Sequence, residues 1–79
     1  MSNIKISKTL DAKKLNCPLP ILKTKKAIDG INVGEYLEVL ATDPGSEADF
    51  NAWSRSTGHE LVEYNEENGV YRYVIKKTK

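Results

Sequence analysis

The local structure of residues 60–77 is strongly constrained by the dipeptide Asn68-Gly69. It divides them into two strand-like segments, residues 60–65 and 70–77. Asn-Gly between two such segments is the strongest short-range indication of a β-hairpin, since both residues tolerate the positive φ angles of a two-residue turn. The two segments are therefore predicted to be antiparallel neighbours in a sheet.

Two further strands precede this hairpin in the sequence. Apolar residues recur at alternate positions in residues 4–10, with one exception, and again in residues 35–42. This is the period of a half-buried strand. In the second segment, Leu37, Val39 and Ala41 should share one face, so the sequence predicts four strands in total.

The first helix is predicted over residues 18–29, because Pro18 suits the first helical position and Gly30 suits the position just past the end. On a helical wheel, one broad arc holds the apolar residues Pro18, Ile21, Leu22 and Ile28. Lys25 falls inside the same arc, so it should extend along the apolar surface or lie at its border.

The second helix is predicted to follow a turn at residues 43–45 and to end at Gly58. Ser46, with Asp49 three residues later, resembles a capping box, in which the serine side chain caps the start of the helix. The residues predicted to face the core are Phe50, Trp53 and Thr57.

The predicted order of elements is βαβαββ, and 79 residues allow a single domain, residues 1–79. Two helices and four strands in so short a chain favour an α+β fold, a two-layer sandwich with both helices on one face of the sheet. Each βαβ crossover should be right-handed with parallel strands, whereas the final hairpin is antiparallel. The four-stranded sheet is therefore predicted to be mixed.

Charge is distributed unevenly along the chain, although its net charge is only +1. Residues 1–30 hold seven lysines and two acidic residues, a net charge of +5, whereas residues 31–79 hold five basic and nine acidic residues, a net charge of −4. Such a basic segment is either a solvated surface or a docking surface for an acidic partner. No apolar run is long enough to span a membrane and no signal-peptide pattern is present, so we expect a cytoplasmic location.

The only cysteine, Cys17, lies at the predicted start of the first helix. Pro18 takes the first helical position, which makes Cys17 the N-cap, and Pro20 falls within the turn whose N–H groups have no partner inside the helix. The amides of Leu19 and Ile21 remain available there. A thiol in this position should favour the thiolate, because the positive end of the helix dipole and nearby lysines stabilise an anion.

Several kinds of thiol chemistry do not fit this sequence. There is no second cysteine for disulfide exchange, too few Cys and His residues for a zinc site, and no glycine-rich phosphate loop or other sign of a cofactor pocket. The only histidine, His59, is predicted at the start of a strand and is more typical of a surface residue than of a catalytic base. Two interpretations are left for Cys17: a buried, inert side chain, or a thiolate that accepts a group from one protein and passes it to another.

The segment Cys17-Pro18-Leu19-Pro20, preceded by Leu10-Asp11-Ala12, resembles the TusA (SirA-like) sulfur-carrier family. Further matching segments follow in the family's order: Ala41-Thr42-Asp43-Pro44-Gly45, Gly58-His59-Glu60-Leu61 and Tyr71-Arg72-Tyr73-Val74-Ile75. The resemblance implies a βαβαββ two-layer fold, and no cofactor is expected because nothing in the sequence suggests a cofactor pocket. The resemblance also implies a cysteine that receives sulfane sulfur as a persulfide from a cysteine desulfurase or rhodanese-like donor, for relay to an acceptor protein in tRNA thiolation or other sulfur metabolism.

Residue by residue, the resemblance makes Cys17 the persulfide carrier, with Pro18, Leu19 and Pro20 shaping its turn. It places Lys25 where members of the family commonly have a basic residue, and Asp43 at an acidic position near the edge where partners dock.

Lys23 and Lys26 share the helix with Lys25, so all three lysines are candidates for partner docking. Lys14 departs from the family pattern, which usually has glycine there, and a lysine would strain the loop if that position takes a positive φ angle.

One alternative from another class is a non-catalytic regulatory module that contacts RNA or protein through its lysine-rich surface. Direct nucleic-acid binding is not favoured, because the candidate aromatic residues are assigned to the core or to strand faces and no basic–aromatic platform is present. Replacing Cys17 by serine would separate the two functions, since a pure binding module should not depend on the thiol.

Overall fold

The structure is a computed structural model, and it describes residues 5–15 and 19–79. Its elements follow the predicted order βαβαββ: β1 (Ile6–Ala12), α1 (Leu19–Asp29), β2 (Tyr36–Ala41), α2 (Ser46–Thr57), β3 (Glu60–Glu67) and β4 (Val70–Lys76). Within the described residues, no helix is long and apolar enough to cross a membrane.

The four strands form one mixed sheet in the order β1-β2-β4-β3. β1 and β2 are parallel, whereas β4 pairs antiparallel with both β2 and β3. The predicted hairpin is confirmed, since Asn68 and Gly69 have φ angles of 53° and 80°. β4 lies between β2 and β3, so the two strands joined by α2 run in the same direction without being neighbours.

The strand boundaries differ from the predicted ones by up to two residues. The prediction for β1 covers residues 4–10, of which residue 4 lies outside the described residues; the strand continues to Ala12, because Asp11 and Ala12 pair with Leu40 and Ala41 of β2. β3 likewise continues to Glu67, which pairs with Val70 across the hairpin. Pairing between strands, rather than the hydrophobic pattern within one strand, sets where each strand ends.

The core lies between the sheet and the two helices. Leu37, Val39 and Ala41 of β2 are fully buried on one face, as predicted. Phe50 of α2 stacks on Tyr73 of β4, with ring centroids 4.3 Å apart. Residues of α1 and α2 join the same core cluster, so both helices cover the same face of the sheet.

The predicted buried face of α1 is correct only in part: Ile28 is buried and Ile21 packs partly buried against the core, but Leu22 is on the surface, and Pro18 lies outside the described residues. The buried residues of this helix are Pro20, Thr24, Ala27 and Ile28, whereas Leu22 is 52% exposed and Lys25 is also exposed. Two residues correspond to about 200° of rotation on a helix, so Leu22 and Thr24 lie on nearly opposite sides. Thr24 can be buried because its hydroxyl donates a hydrogen bond of 2.7 Å to the carbonyl oxygen of Pro20 in the preceding turn.

The predicted starts and ends of the helices are confirmed in part. Gly58 ends α2 in the left-handed conformation, with φ at 85°, as expected of a glycine in this position. Gly30 follows α1 without a positive φ, and its N–H instead donates to the carbonyl oxygen of Ala27 at 3.0 Å. The predicted capping box is wrong, because Gly45 is the N-cap of α2 and makes no side-chain capping bond.

Ser46 is the first residue of α2, and its side chain points into the core instead of capping the helix. Its hydroxyl shares a hydrogen bond of 2.6 Å with the hydroxyl of Tyr73. Both side chains are buried, and burial raises the pKa of Tyr73 to about 12. This contact joins the first turn of α2 to the centre of β4.

Candidate functional site

The predicted site residues Cys17 and Pro18 lie outside the described residues, as does Asn16. Their predicted roles stay predictions. Leu15 and Leu19, each two residues from Cys17 in the sequence, are described, and so are the loops and the helix on either side. The surroundings of the candidate site can therefore be described from these flanking residues.

β1 leads into a tight turn at residues 12–15. The N–H of Lys13 donates to the Asp11 carboxylate at 3.0 Å, and the N–H of Leu15 reaches the carbonyl oxygen of Ala12 at 3.4 Å. Lys14 has a φ angle of 67°, so it occupies the left-handed region at the third position of the turn, where type II turns favour glycine. The strain expected at Lys14 is therefore present in the structure.

A second loop lies beside this turn, because β1 and β2 are parallel and end together at the pair Ala12–Ala41. Thr42 follows β2 directly, and its Oγ1 accepts a hydrogen bond of 2.9 Å from the N–H of Lys14. The carboxyl ends of neighbouring parallel strands are where α/β proteins commonly build their sites.

Asp43 lies in this second loop and is half-buried. Its carboxylate accepts a hydrogen bond of 3.1 Å from the N–H of Gly45, and its carbonyl oxygen accepts one of 3.0 Å from the N–H of Ser46. These bonds fix the entry to α2. Asp43 is thus at the same sheet edge as the turn that leads towards Cys17, as the parallel arrangement predicts.

The first residues of α1 complete the surroundings. Pro20 is buried on the inner side of α1, whereas Leu19, the first residue of α1, is 46% exposed. The predicted supporting residues Leu19 and Pro20 therefore have different environments. Pro20 packs inside the protein, and Leu19 belongs to the surface.

The outer surface of α1 combines apolar and basic side chains. Leu19 and Leu22 are exposed, and they line a shallow groove together with Lys23, Lys25, Lys26 and Asp29. The three predicted docking lysines are all exposed and lie on this one helix. Sequence reasoning missed Leu22 as a surface residue because it assigned the apolar residues of α1 to the core.

His59 lies far from this edge of the sheet. It precedes Glu60, the first residue of β3. Across the sheet, Glu60 is level with Lys76, Tyr36 and Ile6, and Ile6 is the first residue of β1. The end of β1 is six residues further along, about 20 Å at the usual rise of a strand.

The contacts of His59 are those of a structural residue. Its ring packs on Trp53, its Nδ1 accepts a hydrogen bond from the N–H of Thr78, and its pKa is lowered by burial and by the charges of Lys77 and Lys79. In the described part of the chain, no three His, Cys, Asp or Glu side chains come close enough together to hold a metal ion. The candidate site therefore consists of the two loops and the start of α1.

Comparison with known proteins identifies the family to which this arrangement belongs. The family model described as "Sulfurtransferase TusA" matches residues 8–77, which include both loops and α1. The chain belongs to the TusA family. The sulfur carrier protein TusA of Allochromatium vinosum is 52% identical to this TusA-family chain over 69 residues, which are 87% of this chain and 91% of the relative.

A solved structure supports the same assignment. The crystal structure of the SirA-like protein from Desulfitobacterium hafniense matches this TusA-family chain with a TM-score of 0.78 and 26% sequence identity, covering 91% of this chain and 99% of that protein. The family and the fold expected from the sequence are thereby confirmed.

Proposed function

We propose that this TusA-family chain carries sulfur on Cys17 as a persulfide and relays it between two proteins. The observation that supports this most strongly is the match of residues 8–77 to the TusA family, in a chain whose only cysteine lies in the segment Cys17-Pro18-Leu19-Pro20. The helix that follows supports it as well, because an anion near the start of a helix is stabilised by the helix dipole.

The transfer needs no oxidant or reductant. The Cys17 thiolate attacks the terminal sulfur of a persulfide on the donor, a new S–S bond forms at Cys17, and the donor cysteine leaves as a thiolate. An acceptor thiolate then attacks the terminal sulfur of the Cys17 persulfide, and the Cys17 thiolate leaves. With one cysteine in the chain, the persulfide cannot collapse into an internal disulfide.

A cysteine desulfurase or a rhodanese-like protein is the proposed donor, and loading is the direct test of the carrier function. Incubation with a desulfurase and cysteine should add the mass of one sulfur atom to the wild-type chain, and a reductant should remove it. The Cys17→Ser variant should never gain this mass. An unchanged wild-type mass with both donor classes would contradict the proposal and favour a binding module that does not use the thiol.

Docking is proposed to use the outer surface of α1 together with Asp43 in the loop that follows β2. Lys23, Lys25 and Lys26 line the same groove as two exposed leucines, so this surface suits a partner that presents both apolar and acidic side chains. Charges at the rim of an interface act mainly on the rate of association and make it sensitive to salt.

Charge reversal tests this docking surface. Each of the variants Lys23→Glu, Lys25→Glu and Lys26→Glu should slow sulfur transfer at low salt, while the free energy of unfolding changes by less than about 0.5 kcal/mol. The matched control is Arg55→Glu, which reverses an exposed charge in the last turn of α2. Transfer at the wild-type rate in all three lysine variants would show that the lysines of α1 only contribute solubility, and equal slowing in Arg55→Glu would show that the effect is not specific to this surface.

A further inference from the structure

Thr42 connects the two loops at the carboxyl ends of the parallel strands. It follows β2, and its Oγ1 accepts a hydrogen bond of 2.9 Å from the N–H of Lys14, a residue 28 positions earlier in the chain. The other described bonds of the turn at residues 12–15 are local, since they come from Asp11 and Ala12. Beyond the pairing of Ala12 with Ala41 in the sheet, the Thr42 hydroxyl is thus the long-range hydrogen-bond partner of this turn among the described residues.

The turn depends on such a contact because its third residue is strained and the bond that closes it is long. Lys14 has a φ angle of 67°, which a residue with a Cβ atom adopts only when its surroundings enforce it. The bond that closes the turn, from the N–H of Leu15 to Ala12, is long at 3.4 Å. A short bond to a neighbouring strand end thus supports a conformation that the local sequence disfavours.

We propose that Thr42 is a positioning residue for Cys17, an inference that rests on the proposed function. Cys17 follows Lys14 by only three residues, so fixing the peptide group of Lys14 restricts the space in which the thiol can move. Thr42 does not react with sulfur. It acts through the Lys14 N–H on the chain that leads to Cys17, and the proposed effect is to direct that chain towards the start of α1, where an anion is stabilised.

The test compares variants that keep or remove the hydroxyl. Thr42→Val retains the branched shape without the acceptor, and Thr42→Ser retains the acceptor. The measurement is the rate at which iodoacetamide alkylates Cys17, recorded against pH. A net hydrogen bond changes an equilibrium about 2- to 10-fold, so Thr42→Val should lower the rate at neutral pH by about that factor and move the midpoint of the profile to higher pH. Thr42→Ser should restore most of the rate.

A matched control removes a threonine hydroxyl elsewhere in the sheet. Thr9 of β1 is exposed and donates a hydrogen bond of 3.0 Å to Glu38, so Thr9→Val makes the same chemical change away from the turn. Its alkylation profile should match that of the wild type. The folded fraction of every variant is measured by Trp53 fluorescence, so that loss of fold is distinguished from loss of positioning.

A double variant gives an independent test. Glycine adopts positive φ without strain, so Lys14→Gly in the Thr42→Val background should restore the alkylation rate and should also rescue folding if Thr42→Val alone fails to fold. A folded Thr42→Val protein that alkylates like the wild type would overturn the proposal, as would a double variant as slow as Thr42→Val. Alkylation needs no sulfur donor, so this result is separate from a failure of Cys17 to accept sulfur.

Discussion

Replacing Lys14 by glycine should stabilise this protein, although such a change in a loop usually destabilises. Lys14 is exposed, and its backbone has a φ angle of 67°. The left-handed conformation is higher in energy for a residue with a Cβ atom, because this atom comes too close to the neighbouring carbonyl oxygen. Glycine has no Cβ atom and avoids this cost. The hydrogen bond from the N–H of residue 14 to Thr42 is a backbone contact, so the glycine variant retains it.

The expected gain is the difference between two terms. The left-handed conformation costs a lysine about 1–2 kcal/mol. Glycine makes the unfolded chain more flexible, which lowers the free energy of unfolding by about 0.4–1 kcal/mol. The net effect of Lys14→Gly is therefore an increase of about 0.5–1 kcal/mol. For a chain of this size, that corresponds to a rise in Tm of about 2–8 °C.

Chemical denaturation followed by the fluorescence of Trp53, the only tryptophan, measures this change. Lys13→Gly is the matched control, since Lys13 is the adjacent lysine and its φ angle is not positive. That variant should lose about 0.4–1 kcal/mol, because it gains flexibility without relieving strain. Lys14→Ala should show no gain, because alanine keeps the Cβ atom. If Lys14→Gly loses as much stability as Lys13→Gly, the left-handed conformation of Lys14 is refuted.

Three further predictions concern the buried hydroxyl pair and the open face of the sheet. Ser46→Ala should lower the free energy of unfolding by about 1–2 kcal/mol because it leaves the Tyr73 hydroxyl without its partner, and in a double-mutant cycle with Tyr73→Phe the two losses should be less than additive. Folding raises the pKa of Tyr73 to about 12, so the unfolded chain loses the Tyr73 proton at a lower pH than the folded protein does. The free energy of unfolding should therefore fall between about pH 10 and 12, and it should fall less in Tyr73→Phe. Arg72→Met should lower the free energy of unfolding by about 1 kcal/mol, since the two glutamates that pair with Arg72 would then repel each other. Added salt should reduce this loss, and a loss independent of salt would indicate a packing effect instead.

Much of the fold could be predicted because it depends on contacts between near neighbours in the sequence. Alternation in residues 35–42 identified the buried face of β2, and Asn68-Gly69 identified the hairpin. Gly58 marked the end of α2, because a left-handed residue just past a helix is a local requirement. The family, and with it the position of the candidate carrier Cys17, was likewise recognisable from short segments of the sequence.

The candidate site could be predicted only in part, because its geometry joins residues that are distant in the chain. The motif indicates Cys17 and Asp43, but it says nothing about the hydrogen bond from Lys14 to Thr42, which exists because β1 and β2 end side by side. The exposure of Leu22 was also missed. Apolar residues occupy several sides of α1, so the sequence does not show which side meets the sheet.

The sequence by itself determined which segments are strands and helices, because turns, helix ends and side-chain periodicity follow from the conformational limits of adjacent residues. Only the tertiary structure decided the insertion of β4 between β2 and β3, the side of α1 that is buried and the partner of Ser46. Each of these depends on how closely two elements can pack. Ala27, which is small, and Thr24, whose hydroxyl bonds within the helix, form the side of α1 that packs into the core. The hydroxyl of Ser46 bonds to Tyr73 in the core and does not cap its own helix.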